Sequence, residues 1–314
     1  MLKVELEIQE PIIQQLVSDF TEKHGIALYI KRLDLIHPHI KGNKWYKLKH
    51  NIAEATHQNK TTLLTFGGAF SNHIYATAAA GEAFAMKTIG IIRGEARQPL
   101  NHILSFAAEN DMQLYYVDRS LYKFLRENFA SPLFYEKLAT ILTNNLASSL
   151  TNNLENIYVI PEGGANSFAV LGCQEISQNL DNQFDVLCCA CGTGGTLAGI
   201  ILGCPSPTVD RIGFVVLKGG EFMNAEIDKL IDAIRNDNIT YPTHFSLQTN
   251  YHFGGYAKKT PELLAFIDNF NKTYNLIIEP VYTGKMFFGL FDLISKGYFK
   301  SGTRILAIHT GGVY

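Results

Sequence analysis

The stretch CCACGTGGTLAGII, Cys188 to Ile201, runs an apolar strand into a glycine-rich turn and then into a helical pattern. Glycines let the backbone fold tightly and aim successive N–H groups at one point, and the helix starting near Thr196 adds its positive dipole end. The physical product is an anion cup, readable either as a phosphate site or as a plain tight connection. It is not the nucleotide P-loop, because GxxxxGK[ST] is absent. A nicotinamide-dinucleotide reading is poor as well, since no early strand-linked GxGxxG exists and no acidic residue stands at the ribose offset. Three of the five cysteines crowd into this strand at Cys188, Cys189 and Cys191, too close for a disulfide framework. On a strand Cys188 points away from the face of Cys189, and no second Cys/His pair stands at a ligand spacing, so buried reduced thiols and no metal are expected.

Outward from this strand, similar apolar runs alternate with helical patterns. The runs are Thr62 to Phe66, Thr88 to Arg93, Leu114 to Val117, Tyr158 to Pro161, Val186 to Ala190, Ile212 to Leu217 and Arg304 to His309. Between them lie helix-spaced segments, including Ile74 to Ala85, Leu100 to Glu109, Leu121 to Leu142, Ala225 to Arg235 and Pro261 to Phe270. Such alternation predicts an α/β protein with mostly parallel sheets covered by helices. The near-repeat LTNNLASSLTNNL, Leu142 to Leu154, reads as a loop or a frayed helix end.

With 314 residues, 46% of them hydrophobic, the chain can bury one large core or two moderate ones. Charged residues make up 18% and the formal net charge is −2, so no global field draws nucleic acid or an anionic membrane surface. The opening MLKVELEIQE lacks the long apolar stretch expected of a signal peptide, and no segment approaches the apolar length of a membrane span. A cytoplasmic protein with a small-molecule partner is expected, and function is to be sought in a local site.

Glycine pairs mark several strand-to-helix turns, Gly67-Gly68, Gly163-Gly164, Gly194-Gly195 and Gly311-Gly312, where open α/β sheets place ligands. GNKWYKLKH, Gly42 to His50, opens a helix with lysines at 44, 47 and 49. Lys47 and Lys49 suit a solvated face. Lys44 follows Gly42-Asn43 at the helix entrance, where an amine can project from the turn and condense with an aldehyde cofactor. FGGAFSNH, Phe66 to His73, repeats the strand-glycine-helix pattern, with Ser71 and Asn72 either as helix caps alone or as part of a second anion site for a carboxylate. Late in the chain, EPVYTGK (Glu279 to Lys285) and IHTGG (Ile308 to Gly312) bring Tyr282, Thr283 and Thr310 to turns, as ordinary surface or as site residues.

In their order, GNKxxK, GGxxSNH, GTGGT, PVYTGK and HTGG resemble the family of 1-aminocyclopropane-1-carboxylate deaminases and D-cysteine desulfhydrases, over about Leu33 to Gly312. The resemblance implies pyridoxal 5'-phosphate and the tryptophan-synthase-β-like fold (pyridoxal-phosphate fold type II). It implies a smaller domain, 51–164, inserted into a larger cofactor-binding domain, 1–50 and 165–314, with the cofactor in the cleft between them. A homodimer is the family habit. Residue by residue, it implies that Lys44 bonds the cofactor and shuttles the α-proton, and that Asn72 bonds its 3'-oxygen. Gly192, Thr193, Gly194, Gly195 and Thr196 match the phosphate cup. Ser71 and the amides of Asn72 and His73 match the substrate-carboxylate site, Tyr282 the residue beside the ring, and Thr283 and Thr310 positions near the pyridine nitrogen.

Within the family the cyclopropane deaminases typically carry Glu after the tyrosine of PVY, Gln after the SN pair, and HLGG at the end. Thr283, His73 and Thr310 here resemble the desulfhydrase branch. A carboxylate facing the pyridine nitrogen keeps it protonated, whereas a threonine hydroxyl cannot hold that charge, which suits β-elimination of a good leaving group such as thiolate. The sequence departs from the family at HFGGYAKKTPEL, where the pattern carries tyrosine in a YG-x-PN context and Tyr256 is the nearest equivalent. Three functions stay in play: D-cysteine desulfhydrase-like elimination, 1-aminocyclopropane-1-carboxylate deamination, and cofactor binding without turnover.

Overall fold

The computed structural model describes residues 6–144, 154–180, 183–234 and 244–312. In chain order, β1 (Ile13–Leu16), α1 (Asp19–Lys23), β2 (Ala27–Arg32) and the long α2 (Asn43–His57) come first. Next are β3 (Thr62–Gly68), α3 (Asn72–Ala83), β4 (Lys87–Arg93), α4 (His102–Glu109), β5 (Gln113–Val117), α5 (Arg119–Glu127), α6 (Pro132–Asn144) and β6 (Ile157–Val159). Then follow α7 (Ser167–Gln174), β7 (Val186–Cys191), α8 (Gly195–Gly203), β8 (Asp210–Val215), α9 (Met223–Asp232), β9 (Ser246–Gln248), α10 (Pro261–Tyr274), α11 (Thr283–Ser295) and β10 (Arg304–His309). The chain forms two compact units, Ile8–Lys47 with Ser167–Tyr314 and Met1–Glu7 with Leu48–Asn166.

The smaller unit holds a parallel sheet in the order β5-β4-β3-β6. Its central strand β3 is buried along nearly its whole length, which explains why TLLTF is a continuous run of apolar and threonine residues and does not alternate. The larger unit holds the order β1-β2-β10-β7-β8-β9, parallel except for β1 against β2. Strand β7 lies inside this sheet, paired with β10 and β8. The carboxyl ends of β7 and β10 therefore emerge side by side, and each runs straight into a glycine turn. The strand cysteines sit in two cores, as the pleat demands. Cys188 packs with Phe214, Phe287 and Leu290, and Cys189 and Cys191 pack with Leu197, Ile200 and Ile227. All five cysteines are buried and none is in a disulfide.

Several elements differ from the sequence reading. The single helix expected over Leu121 to Leu142 is two helices, because Ala130 takes φ +62° and Ser131 then caps a fresh start, its Oγ accepting from the Phe134 N–H at 3.2 Å. Strand β2 has no apolar run to mark it because Lys31 interrupts the pattern; that lysine is buried and donates to the Ile176 carbonyl at 2.7 Å. Residues 145–153 of the near-repeat lie outside the described residues. Among the described residues no helix is long and apolar enough to cross a membrane.

Candidate active site

The glycine turn after β7 is built so that only glycine fits at its hinge. Gly194 precedes α8 with φ +76°, and a Cβ there would lie 2.8 Å from Ile227 Cγ1. Helix α8 begins at Gly195, so its first amides open toward the turn of Gly192 and Thr193.

A second turn brings the amine to this cup. Gly42 takes φ +69°, and any side chain on it would collide with the Thr310 carbonyl. That close approach lets the Asn43 N–H donate to Thr310 O at 3.2 Å, seating the start of α2 on the turn that follows β10. The Asn43 side chain then bridges: its Nδ2 donates to Thr196 Oγ1 at 2.8 Å, and its Oδ1 accepts from Lys44 Nζ at 2.8 Å. The Lys44 amine is thus one amide side chain away from the cup.

Lys47 corrects the sequence reading. It is 3% exposed and does not lie on a solvated face; its Nζ donates to Thr193 Oγ1 at 3.4 Å. Three residues on from Lys44, it shares the helix face that points at the cup, a consequence of helical spacing that reading the lysines one by one overlooked. Lys49 stays half-buried. Crowding by protein atoms and, after it, the Lys47 charge lower the Lys44 pKa to about 7, with Cys173 and Glu279 acting in the opposite direction. Burial likewise lowers Lys47. Two amines at a glycine turn are an electrostatic demand for an anion. Cys173, buried beside them, is pushed up to about 11 by desolvation and is no nucleophile.

The third wall comes from the start of α11. A Cβ on Gly192 would lie 3.1 Å from Tyr282 Cε1, so the Tyr282 ring rests on the first residue of the cup. Its hydroxyl donates to Tyr256 at 3.3 Å, and the two rings meet edge to face with centroids 5.9 Å apart. The structure thus brings Tyr256 to Tyr282 despite the unfamiliar sequence around it. Thr283 is fully buried, its hydroxyl donating to Glu279 Oε1 at 3.2 Å. Neither Asn43 nor Glu279 was singled out from the sequence, although both stand inside the segments GNKWYK and EPVYTGK. Thr310 is 8% exposed and enters through its carbonyl.

Ser71, Asn72 and His73 belong to the smaller unit. Ser71 caps α3, its Oγ accepting from the Ile74 N–H at 3.4 Å, and His73 is buried in the first turn. A Cβ on Gly67 would strike Ser71 at 2.7 Å, so the end of β3 packs directly on the cap. The amides of a helix start are the kind of donor that can hold a carboxylate.

Over residues 8–311 the chain matches the family described as pyridoxal-phosphate dependent enzyme. The chain belongs to that family. A Pyrococcus horikoshii protein provisionally named 1-aminocyclopropane-1-carboxylate deaminase is 32% identical over 318 residues, covering 99% of this chain and 92% of that protein. The bifunctional D-cysteine desulfhydrase/1-aminocyclopropane-1-carboxylate deaminase of Arabidopsis thaliana, a mitochondrial protein, is 31% identical over 309 residues, 92% of this chain and 73% of its own. The crystal structure of an ACC deaminase homologue matches with a TM-score of 0.79 at 30% identity, over 98% of this chain and 91% of that one. The fold is therefore that of the type II pyridoxal-phosphate enzymes, and the protein is a pyridoxal-phosphate-dependent lyase or deaminase. The residues fit such a cofactor: a depressed amine could take its aldehyde, and the glycine cup with Lys47 and Thr193 could take its phosphate.

Proposed function

We propose that the protein removes the β-substituent of a small amino acid, with D-cysteine as the leading substrate, converting D-cysteine and water to pyruvate, ammonia and hydrogen sulfide. The observation that carries this reading is the link from Lys44 Nζ through Asn43 to Thr196, which joins a poised amine to an anion cup within one unit. Pyridoxal phosphate, when bound, supplies an electron sink for the substrate α-carbon. Lys44 holds the cofactor and moves the α-proton, work that contributes about 10² to 10⁴-fold. The amides of Gly192 to Thr196, with Lys47, hold the phosphate, and Asn72 bonds the 3'-oxygen. Ser71 and the amides of Asn72 and His73 orient the substrate carboxylate. Tyr282 and Tyr256 present a hydroxyl pair that donates a proton to the departing thiolate. Thr283 and Thr310 stand toward the ring nitrogen, and Thr283 supplies no charge there, which favours elimination of a good leaving group over opening of a cyclopropane ring.

Deamination of 1-aminocyclopropane-1-carboxylate is the second reading, favoured by the names of both relatives. A product assay separates the two: sulfide with pyruvate from D-cysteine, against 2-oxobutanoate from the cyclopropane acid. Purified protein that is yellow but releases no ammonia from a panel of D- and L-amino acids would overturn both in favour of a binding protein. A cytoplasmic homodimer is part of the same proposal, tested by fractionation and by sedimentation of the purified protein.

A further inference from the structure

Lys285 has no part in the chemistry above, yet it is among the largest side chains of the protein with no solvent contact at all. It leaves the first turn of α11, three residues after Tyr282, and its ammonium donates to two backbone carbonyls, His252 O at 2.9 Å and Gly255 O at 2.7 Å. A buried amine costs desolvation free energy, seen here as a pKa lowered to about 8, with Glu279 raising it. Among the described residues the hydrogen bonds of Lys285 go to these two main-chain carbonyls and to no carboxylate.

The turn it grips is a strained one. Phe253 has φ +52°, a conformation that a bulky residue adopts only when its surroundings impose it, and Gly254 and Gly255 follow at +92° and +122°. Two anchors from α11 impose it. The Phe253 ring meets Phe288 edge to face with centroids 4.8 Å apart, and Lys285 takes the carbonyls at both ends of the turn. Gly255 O belongs to the peptide that leads into Tyr256, so the second contact fixes the direction in which the chain enters Tyr256. The same first turn of α11 carries Tyr282, which lies on Gly192 of the cup.

We propose that Lys285 is a positioning residue: by holding the His252 and Gly255 carbonyls it sets the Tyr256 hydroxyl against Tyr282 at the edge of the glycine cup. One helix start thereby fixes both tyrosines, one directly and one through the clamp. The turn 252–256 is also where the sequence departs from its family's pattern, so the clamp explains how a different loop sequence still delivers a tyrosine to that place.

The inference rests on the lyase reading only in its activity arm. The first arm needs no cofactor: amide hydrogen exchange of residues 253–257 in cofactor-free wild type and Lys285→Met, a replacement that keeps length and apolar bulk but cannot donate. Exchange in that segment is expected to be faster by about tenfold or more in the variant, with β7 amides unchanged. The second arm is a double-mutant cycle with Tyr256→Phe, read as kcat and KM on whichever amino acid the enzyme turns over. Lys285→Met is expected to lower kcat by about tenfold, and Lys285→Met/Tyr256→Phe to match Tyr256→Phe alone within about twofold. A lysine that only stabilises the fold would lower the melting temperature while its kinetic effect multiplied with that of Tyr256→Phe. Multiplying effects, or unchanged exchange in residues 253–257, overturn the proposal. Should Lys285→Met lose cooperative melting, Lys285→Gln, whose shorter amide keeps a donor, is read by the same two criteria. A wild type without turnover sinks the lyase reading and leaves the exchange arm to decide this one.

Discussion

Thr283 and Glu279 hold each other: Thr283 Oγ1 donates to Glu279 Oε1 at 3.2 Å and accepts from the Glu279 N–H at 3.1 Å. The Glu279 carboxylate also accepts from the N–H groups of Val281 at 2.6 Å, Tyr282 at 2.8 Å and Thr283 at 2.8 Å. The carboxyl oxygens thus satisfy the orphan donors at the start of α11, the helix end that carries Tyr282 and Lys285. It also engages the only hydroxyl proton of Thr283, leaving that oxygen a lone pair for any other neighbour.

Glu279→Ala leaves three amides of this turn without their acceptor and is expected to destabilise the protein by about 2 kcal/mol or more. Desolvation raises the Glu279 pKa above 4.5 in the folded chain, so the neutral acid is the form that folding favours. The difference in stability between wild type and variant should accordingly be largest below pH 4.5 and shrink as pH rises through the folded pKa. Urea unfolding of both proteins across that range checks the sign; a difference that grows with pH contradicts it.

The lowered pKa of Lys44 has a kinetic consequence. Only the neutral amine attacks an aldehyde, so cofactor uptake by cofactor-free protein should rise with pH and level off above about 7. Glu279 supports the Lys44 charge, so Glu279→Ala should move that midpoint to lower pH. Stopped-flow absorbance against pH gives both values. A midpoint near 10.5, as for an ordinary lysine, contradicts the placement of this amine.

Lys47 donates to Thr193 at the glycine turn, where it would meet a phosphate held by the cup. Lys47→Met should weaken retention of pyridoxal 5'-phosphate by about tenfold or more, about 1.4 kcal/mol. Binding of pyridoxal, which lacks the phosphate, should stay unchanged. Equal losses for the two compounds in equilibrium dialysis would remove Lys47 from the cup.

Ser71 has two readings that one variant separates. If it only caps α3, Ser71→Ala costs about 1 kcal/mol of stability and leaves kinetics alone. Holding the substrate carboxylate, it should also raise KM for the amino acid by about tenfold or more. Thermal melting and steady-state kinetics on the same preparation decide between them, and the second outcome is expected.

The sheet strands that lie against covering helices were legible because double burial leaves continuous apolar runs, as at Thr62 to Phe66 and Arg304 to His309. Glycine turns are legible for a related reason, because at Gly42 and Gly194 a positive φ and a close neighbour leave room for no other residue. What stayed hidden depends on partners distant in sequence. Lys31 disguises β2 because the acceptor that lets its ammonium be buried is a carbonyl 145 residues away. Lys47 read as surface because the group it faces, Thr193, follows 146 residues later. Glu279 gave no signal, since a buried carboxylate that accepts from its own turn looks in sequence like any acidic turn residue.

The most direct test is borohydride reduction of the purified yellow protein followed by peptide mapping. Lys44 and Lys47 stand on the same helix face with lowered pKa values, so the map must choose between neighbours. A pyridoxyl label on Lys44 alone is the expected result; a label on Lys47, or on any lysine outside α2, would contradict the assignment of the amine.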